Sequence, residues 1–459
     1  MSVPMMQIKP EEVDTPEKKG KYTVSIIGCG QMGILHAILF AKAGFKIVCV
    51  DTDQAVIGNI TKGKAASLRS EDEAELKSHV KNGTICATND IKKAASQSDV
   101  ILVATPVKID TKKKADYRSI MENCKQIGLT LRRGSLVIIM NIIGMNITQV
   151  TIKDTLENTA GLKAGSDFGL AYSPNMTVRE QTLDTISQGR RIVTATDKNS
   201  LIAASTLLES IMKNGITKTE NVSAAELAVL VEALRRDVNS ALINELALFC
   251  EKAAIDYFEV QKLVDPNKNN SLPSPMLSDA QTQRGSYLLL EDAESLNLKL
   301  RIPKIAREIN EKIVKHVANL ANDALRSCGK TFRRARISLL GISQNRNAKS
   351  IPKRAAREIV KILEDKGAKV GLYDPFFSKN ELSEMRVHLA RNLTEAIEGS
   401  DCIIILTGHD QFKRLNLNRL KVVMKMPAAI IDLDGTVEPD KVEKAGFIYR
   451  GLGRGVWTR

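Results

Sequence analysis

Short apolar runs alternate with helical segments through the first two hundred residues of the chain. Five runs have strand length: Val24 to Ile27, Ile47 to Val50, Val100 to Ala104, Leu136 to Met140 and Phe168 to Tyr172. Apolar runs of this length with helices between them are typical of a parallel sheet covered by helices on both faces. The pattern predicts a first α/β domain over residues 21–214, preceded by a polar tail at residues 1–20.

A long helical periodicity follows, from Ala224 to about Ala254. Its apolar residues recur at three- and four-residue spacing and are Leu227, Leu230, Leu234, Val238, Leu242 and Phe249. A helix of this length would span ~45 Å, and such helices commonly bridge domains and bury a stripe against a partner subunit. With a further helix through Ile305 to Leu325, this predicts a helical central domain over residues 215–325 that forms dimers or larger assemblies.

The alternation of strands and helices restarts towards the C-terminus. The predicted strands are Ile337 to Leu340, Val370 to Tyr373, Cys402 to Leu406 and Ala429 to Asp432. They predict a second, smaller doubly wound domain over residues 326–459. The predicted fold class is therefore α/β, with two Rossmann-like doubly wound domains joined by a helical dimerisation domain that contains a long central helix.

Composition fits a multi-domain globular protein. The chain has 459 residues, of which 43% are hydrophobic and 26% charged. Its apolar runs are far shorter than the ~20 residues that a membrane helix needs, and no secretory signal precedes the first domain. We expect a soluble, cytoplasmic protein with no membrane partner. Seven cysteines are scattered singly, which indicates neither a zinc site nor a disulfide framework.

The net charge of +14 would suit an anionic partner. The basic residues are dispersed, however, and the densest groups, Lys112 to Lys114 and Arg333 to Arg336, lack interleaved aromatic residues. Because aromatic content is only 4%, nucleic-acid bases would find few stacking platforms. We interpret these groups as solvated faces and expect no nucleic-acid partner.

The strongest local motif is Gly28-Cys29-Gly30-Gln31-Met32-Gly33, directly after the first predicted strand and before a helix. This is the dinucleotide-binding fingerprint in its required strand–turn–helix context. The first glycine permits the tight turn, the second lets a pyrophosphate approach the backbone, and the third lets helix and strand pack closely.

Two further residues belong to the predicted cofactor site. Asp51 ends the second strand, where a carboxylate bonds the ribose hydroxyls of NAD and repels the extra phosphate of NADP. Thr105 follows the strand Val100 to Ala104, at the edge of the sheet where ligands bind. The site therefore predicts NAD. The alternative is a glycine-rich turn of a Rossmann-like fold that has lost its ligand.

Several segments resemble the nucleotide-sugar dehydrogenases, the UDP-glucose/GDP-mannose dehydrogenase family, including its UDP-N-acetyl-D-mannosamine dehydrogenase-type members. These are Val103 to Pro106, Asp167 to Pro174, Ala225 to Leu227, Arg236 to Asn239, Asn244 to Leu248, Tyr373 to Pro375 and Gly451 to Gly455, in family order. The resemblance implies an NAD-dependent oxidoreductase of polysaccharide precursor metabolism. Such enzymes oxidise the C6 alcohol of a nucleotide sugar to a carboxylate through a covalent intermediate on a cysteine, aided by a lysine and an asparagine.

The residues that perform this chemistry depart from the family pattern. The resemblance places the lysine at Val229, the asparagine at Ala233, and the cysteine in a segment before Tyr287 that contains none. Other departures are Asn175 in place of a glutamate, Asn141 to Asn146 in place of a Ser-Thr-Val-Pro-Pro-Gly turn, and Gln344-Asn345 and Pro352 where the family holds the nucleotide diphosphate. No catalytic residue is therefore assigned, and the four-electron oxidation is predicted to be absent.

Three hypotheses about function remain open. The chain could be an oxidoreductase on a CH–OH group of a nucleotide sugar or related anionic metabolite, with His36 or His409 as candidate base, although each is more often structural. It could be a silent NAD-binding paralogue that pairs with itself or with an active dehydrogenase. A 3-hydroxyacid-type dehydrogenase is more distant, because that group also needs the lysine and asparagine.

Overall fold

The computed structural model describes residues 4–65, 67–110, 112–176, 182–264, 272–277, 280–347, 354–377 and 388–457. By its contacts the chain divides into two compact units. The first unit comprises Met1–Leu234 and Arg284–Lys299, and the second comprises Arg235–Gln283 and Leu300–Arg459. The predicted central section, residues 215–325, thus supplies residues to both units, and its boundaries stay a prediction.

The first unit is built on a mostly parallel sheet. Its helices and strands up to residue 218 are α1 (Pro16–Lys19), β1 (Thr23–Ile27), α2 (Gln31–Ala43), β2 (Lys46–Val50), α3 (Gln54–Thr61), α4 (Ser70–Lys81), β3 (Ile85–Thr88), α5 (Ile91–Gln97), β4 (Val100–Val103), β5 (Lys108–Ile109), β6 (Ala115–Asp116), α6 (Arg118–Gly128), β7 (Leu136–Ile139), α7 (Lys153–Ala160), β8 (Gly169–Tyr172), α8 (Leu183–Ser187), β9 (Ile192–Ala195), α9 (Lys198–Glu209) and β10 (Thr217–Lys218). The sheet order is β10-β9-β8-β7-β4-β1-β2-β3, with only β8 and β9 antiparallel, and β5 and β6 form a separate hairpin. The run β3-β2-β1-β4-β7-β8 is the strand order of a doubly wound dinucleotide-binding sheet. From β1 the strands follow one another outwards to β2 and β3 on one side and to β4, β7 and β8 on the other. The switch point between β1 and β4 is where such folds bind ligands.

The N-terminal segment, expected as a polar tail, carries apolar side chains that are buried in the first unit. Met5 and Ile8 belong to the core cluster of this unit, and so does Val13. The Met6 N–H donates to the carbonyl of Gly134 at 3.1 Å. Apolar residues ahead of the charged stretch therefore pack against the sheet, while the charged residues remain at the surface.

Four helices follow: α10 (Val222–Ala253), α11 (Tyr257–Val264), α12 (Ala280–Ser295) and α13 (Arg301–Ser327). The 32 residues of α10 confirm the predicted long central helix. In the second unit, Asp237 of α10 and Arg307 of α13 form a buried ion pair with a 2.7 Å contact. Asn310 adds a hydrogen bond to the same carboxylate at 2.7 Å. The pairing of buried charges joins the two helices at a fixed register.

The second unit repeats the doubly wound plan. Its later elements are β11 (Arg336–Leu340), α14 (Arg354–Asp365), β12 (Lys369–Tyr373), β13 (His388–Leu389), α15 (Leu393–Ile397), β14 (Cys402–Ile405), α16 (Asp410–Lys413), α17 (Leu417–Val423), β15 (Ala429–Asp432), α18 (Pro439–Lys444) and β16 (Ile448–Gly451). All six strands are parallel, in the order β13-β12-β11-β14-β15-β16. The central strands are buried along their whole length, as sheets covered on both faces require. Two Rossmann-like parallel sheets and the long helix are therefore confirmed.

Candidate functional site

The glycine-rich loop connects the end of β1 to the start of α2, beside the point where the sheet reverses. Gly28 has φ of +98°, and a Cβ there would lie 2.8 Å from the backbone nitrogen of Thr105. A Cβ on Gly33 would lie 2.1 Å from the Gly28 carbonyl oxygen. Beyond its chain neighbours, a Cβ on Gly30 would meet none of the described atoms within 4 Å. Two glycines thus close the loop against the protein, and the third leaves the backbone open to a phosphate.

Asp51, which follows β2, is hydrogen-bonded to the backbone of this loop. Its Oδ2 accepts a hydrogen bond from the backbone N–H of Cys29 at 2.8 Å, and its Oδ1 accepts one from Asp53 at 3.0 Å. The side chain is partly exposed, and each carboxylate oxygen has a further lone pair for another donor. The geometry fits the predicted contact with ribose hydroxyls.

The other members of the motif differ in their surroundings. The Cys29 thiol is buried and contacts the Val50 carbonyl at 3.4 Å. The neighbouring Cys49 thiol, together with burial, raises the pKa of Cys29 well above its ordinary value. Gln31 and Met32 are partly exposed on the first turn of α2. The Cys29 thiol is therefore a poor nucleophile, because its pKa is raised, and a contact of Cys29 with the cofactor stays a prediction.

Thr105 lies at the carboxyl end of β4, as predicted, but its hydroxyl is already bonded to the protein. It donates to the Ile27 carbonyl at 3.3 Å and accepts from Asn123 Nδ2 at 2.7 Å. Asn141 Nδ2 donates to the backbone carbonyl of Thr105. The hydrogen bonds of Thr105 thus join the residues after β4 to the end of β1, to Asn123 and to Asn141. A contact between Thr105 and a cofactor stays a prediction.

The loop after β7, residues 144–148, is held by side chains from three other elements of the first unit. Tyr117 Oη accepts from the N–H of residue 144 at 2.9 Å, and Asp292 of α12 from that of residue 145 at 2.9 Å. Glu226 of α10 accepts from two further N–H groups at 2.6 and 2.9 Å. Burial raises the pKa of both carboxyls. These four backbone donors of the loop after β7 are thus occupied by the protein itself.

The two positions that the resemblance assigns to lysine and asparagine are buried, and the second of them meets another helix. Val229 and Ala233 are 2% and 0% exposed on α10. Gly285 of α12 lies so close that a Cβ on it would be 2.3 Å from the Ala233 Cβ. Tyr287, two residues on, is also buried, with the Lys113 ammonium 5.8 Å from its ring centre. In the segment before Gly285, residues 278 and 279 lie outside the described part of the chain.

His36, one candidate base, is enclosed in the first unit. Its Nδ1 lies 2.7 Å from the Met32 carbonyl, and its Nε2 lies 3.1 Å from Nη1 of Arg191. The carbonyl requires a proton on Nδ1, so Nε2 accepts from the guanidinium and the ring is neutral. Burial, and then the charge of Arg191, lower the pKa of His36 to about 3.

His409, the other candidate, is enclosed in the second unit. Its Nδ1 accepts from the Asn347 N–H at 2.9 Å, and its Nε2 lies 3.2 Å from Oδ2 of Asp374. Ser343 donates to the same carboxylate oxygen through its backbone N–H at 2.8 Å and its hydroxyl at 2.6 Å. Burial favours the neutral acid, but the bonds from His409 and Ser343 outweigh it and lower the pKa of Asp374. Both histidines thus have structural partners on each ring nitrogen.

Two of the three predicted nucleotide-diphosphate positions lie within the described residues. Gln344 and Asn345 lie in the loop after β11, and Pro352 falls outside the described residues. Next to them, Arg346 is bonded to Asp434 through Nε at 2.8 Å and through Nη2 to the backbone carbonyl at 2.7 Å. This arginine therefore links two loops of the second sheet.

Sequence reasoning assigned no role to four groups of the first unit, Arg191, Tyr117, Asp292 and Gly285, or to Asp374 of the second unit. For Asp374 a signal existed, because it ends the second strand of its sheet as Asp51 does. The other four act through partners distant in sequence, and no local pattern marks them.

In the part of the chain that the structure describes, no helix has the length and apolar character to cross a bilayer. Nor do three or more His, Cys, Asp or Glu side chains of the described residues come together as metal ligands would.

Comparison with known protein families matches three consecutive domains of one family. The UDP-glucose/GDP-mannose dehydrogenase NAD binding domain matches residues 22–213, the central domain residues 223–312, and the UDP binding domain residues 338–439. The sheet that carries the glycine-rich loop is thus the NAD domain, and NAD is its cofactor.

Individual relatives match over nearly their whole length. A UDP-N-acetyl-D-mannosamine dehydrogenase of Pyrococcus horikoshii is 28% identical over 435 residues, covering 94% of this chain and 99% of that one. One from Methanococcus maripaludis is 26% identical, covering 96% and 100%. The solved structure of a UDP-D-ManNAc dehydrogenase from P. horikoshii superposes with a TM-score of 0.84 at 26% identity, over 95% of this chain and 100% of that chain.

Proposed function

Because the chain belongs to the UDP-glucose/GDP-mannose dehydrogenase family, we propose that it is an NAD-binding member that has lost the four-electron oxidation of nucleotide sugars. The relatives named above are UDP-N-acetyl-D-mannosamine dehydrogenases, so a UDP-amino sugar is the substrate class against which this proposal is judged. Its setting would be polysaccharide precursor metabolism.

The contact between Ala233 and Gly285 carries the proposal. An asparagine at position 233 would need space for an amide group, yet Gly285 already meets the Ala233 Cβ at the limit of what glycine allows. Val229, one helical turn earlier, is equally buried. Positions that would present a lysine and an asparagine to a substrate instead carry buried apolar side chains, and neither valine nor alanine can stabilise an oxyanion or activate water.

The cofactor half of the proposal rests on the loop geometry. NAD would lie with its pyrophosphate against Gly30, between the Gly28 turn and the first turn of α2, and with its ribose at Asp51. A Cβ at Gly30 would enter the open space that the pyrophosphate is proposed to occupy. Bound there, NAD supplies hydride acceptance; this chain's residues supply binding and orientation.

A simple alcohol oxidation would still need a base, and the two histidines are poor candidates. His36 is neutral and enclosed, with a pKa lowered to about 3. His409 is bonded on both ring nitrogens. Neither is free to accept a proton from a substrate, which favours a silent protein over a two-electron oxidoreductase.

An NAD-binding protein without catalytic activity would function by binding another protein. The helix α10 offers an exposed apolar surface for such a partner. Leu242, Leu246 and Phe249 are 52%, 41% and 66% exposed on the part of α10 that belongs to the second unit. Their spacing of four and three residues places them in one stripe. Exposed apolar stripes mark protein interfaces. We propose that this stripe pairs with a second copy or with an active paralogue.

A thermal-shift panel tests the binding part of this proposal. NAD at a hundredfold excess over its Kd should stabilise the first unit by ~2.7 kcal/mol, a rise in Tm of roughly 5 to 10 °C. Asp51→Ala should remove that rise, whereas Asp154→Ala, an exposed aspartate on α7, should retain it. UDP-N-acetylmannosamine added with NAD should give no further shift. A missing NAD shift in the unmutated protein would refute the cofactor claim.

A further inference from the structure

Arg191, just before β9, is a buried cation without a counter-ion among the described residues. Its side chain is 1% exposed. Nε donates to the Ser173 hydroxyl at 2.9 Å, and Nη1 donates to Nε2 of His36 at 3.1 Å. Within the described chain Nη2 has no hydrogen-bond partner. Burial lowers the pKa of Arg191 to about 10, so the guanidinium remains charged at neutral pH.

A buried charge of this kind needs an explanation. Removing a guanidinium from water costs several kcal/mol, and proteins usually recover that cost with a carboxylate. Here the two direct partners are a hydroxyl and a neutral imidazole. The protein keeps the positive charge in a low-dielectric interior, where its field reaches further than the length of a hydrogen bond.

The guanidinium of Arg191 lies close to the first turn of α2. His36 lies on the second turn of α2 and its other nitrogen donates to Met32, within the glycine-rich motif. Asn175, two residues after Ser173, contacts the Met32 sulfur at 3.3 Å. The guanidinium is therefore one imidazole ring away from the first turn of α2. The amino end of a helix is itself positive and favours an anion.

We propose that Arg191 is an electrostatic positioning residue of the cofactor site: its buried charge adds to the positive end of α2 and stabilises the pyrophosphate of NAD. His36 acts as the rigid neutral link between guanidinium and helix. Because the His36 ring is neutral, it fixes the position of the guanidinium relative to α2 and does not offset its positive charge. The inference rests on the proposed placement of NAD against Gly30.

The test separates charge from structure by varying the charge of the ligand. Arg191→Met keeps an unbranched apolar side chain at the site and removes the charge. Affinities of NAD, ADP and adenosine are measured by competition against NADH fluorescence, at low salt and in 0.5 M salt. Arg190→Met is the matched control, because Arg190 is the adjacent arginine and is exposed.

Arg191→Met should weaken NAD and ADP about tenfold, equivalent to ~1.4 kcal/mol, and leave adenosine unchanged. The loss should persist at high salt, because buried charges are screened little. Arg190→Met should change none of the three affinities. Equal losses for adenosine and NAD would overturn the proposal, since a structural role alone predicts that result.

A second variant covers the case in which Arg191→Met fails to fold. Arg191→Lys places an ammonium at the same position with a smaller set of donors; at pH 6, where a buried lysine keeps its proton more readily than at neutral pH, NAD affinity should stay within about threefold of the unmutated protein. A tenfold loss in a folded Arg191→Lys protein would overturn the proposal. If the unmutated protein binds ADP and NAD no better than adenosine, the cofactor site itself fails and this inference fails with it.

Discussion

Replacing Ala233 by asparagine is the most informative single change in this protein. It would reinstate the amide that the family resemblance places on α10, at a position that is 0% exposed and faces Gly285. A Cβ on Gly285 would stand only 2.3 Å from the Ala233 Cβ, so at this point α12 approaches α10 too closely for any side chain at position 285. The added amide must therefore displace α12 or distort its own rotamer.

The expected cost has two parts. Overpacking of a tight interior typically costs ~1 to 3 kcal/mol, and a buried amide without full hydrogen bonding costs another ~1 to 3 kcal/mol. We expect Ala233→Asn to destabilise the first unit by about 4 kcal/mol. Ala228→Asn is the matched control, because Ala228 is exposed on the same helix; it should lose only the ~0.6 kcal/mol difference in helix propensity.

Urea unfolding followed by circular dichroism measures both variants against the unmutated protein. A decrease for Ala233→Asn several times that for Ala228→Asn supports the closed helix contact. Equal decreases would contradict the closed helix contact, because they would mean that α10 and α12 leave room for the amide and that packing does not exclude asparagine.

Three further predictions follow from named contacts. The free energy of unfolding should fall by about 2 kcal/mol between pH 7 and pH 5, because the pKa of His36 is about 3 in the folded protein and the unfolded ring takes up a proton below pH ~6.5. The His36→Gln variant should lose less stability over this range. A variant with the same pH profile as the unmutated protein would contradict the buried neutral ring. Gly30→Val should abolish NADH binding with little loss of stability, whereas Gly33→Ala should destabilise the fold, so a stable Gly33→Ala protein in thermal melts would contradict the loop geometry. Phe249→Lys should shift the protein towards monomers in light scattering, while Val422→Lys, at an 84% exposed position elsewhere, should not; a monomeric unmutated protein at micromolar concentration would argue against the interface.

The fold could be predicted from sequence where strands are buried on both sides. The apolar runs at Ile47 to Val50 and Val100 to Ala104 became β2 and β4 almost residue for residue. The strands that were not predicted include β3, β10, β13 and β16 at the margins of the sheets, and β9, the neighbour of β10 inside the first sheet. β10 and β13 have two residues each and β3 is partly exposed, so these three lack the continuous apolar run that marks a central strand.

The candidate site was predictable only where its residues are close in sequence. The glycine motif and Asp51 depend on a turn and the strand after it, and both have a local pattern. The contact of Gly285 with Ala233 and the bond of Arg191 to His36 join segments separated by 52 and 155 residues. Such pairs are set by tertiary packing, which a single sequence does not display.

Whether this protein oxidises a nucleotide sugar is decided most directly by following NADH at 340 nm under anaerobic conditions. Purified protein is mixed with NAD and UDP-glucose, UDP-N-acetylglucosamine or UDP-N-acetylmannosamine. With Val229 and Ala233 buried and no cysteine in the segment before Tyr287, the proposed function predicts no turnover above a residual rate. Release of two NADH per sugar at an ordinary enzymatic rate, ~1 s⁻¹ or faster, would contradict it and return the protein to the active members of its family.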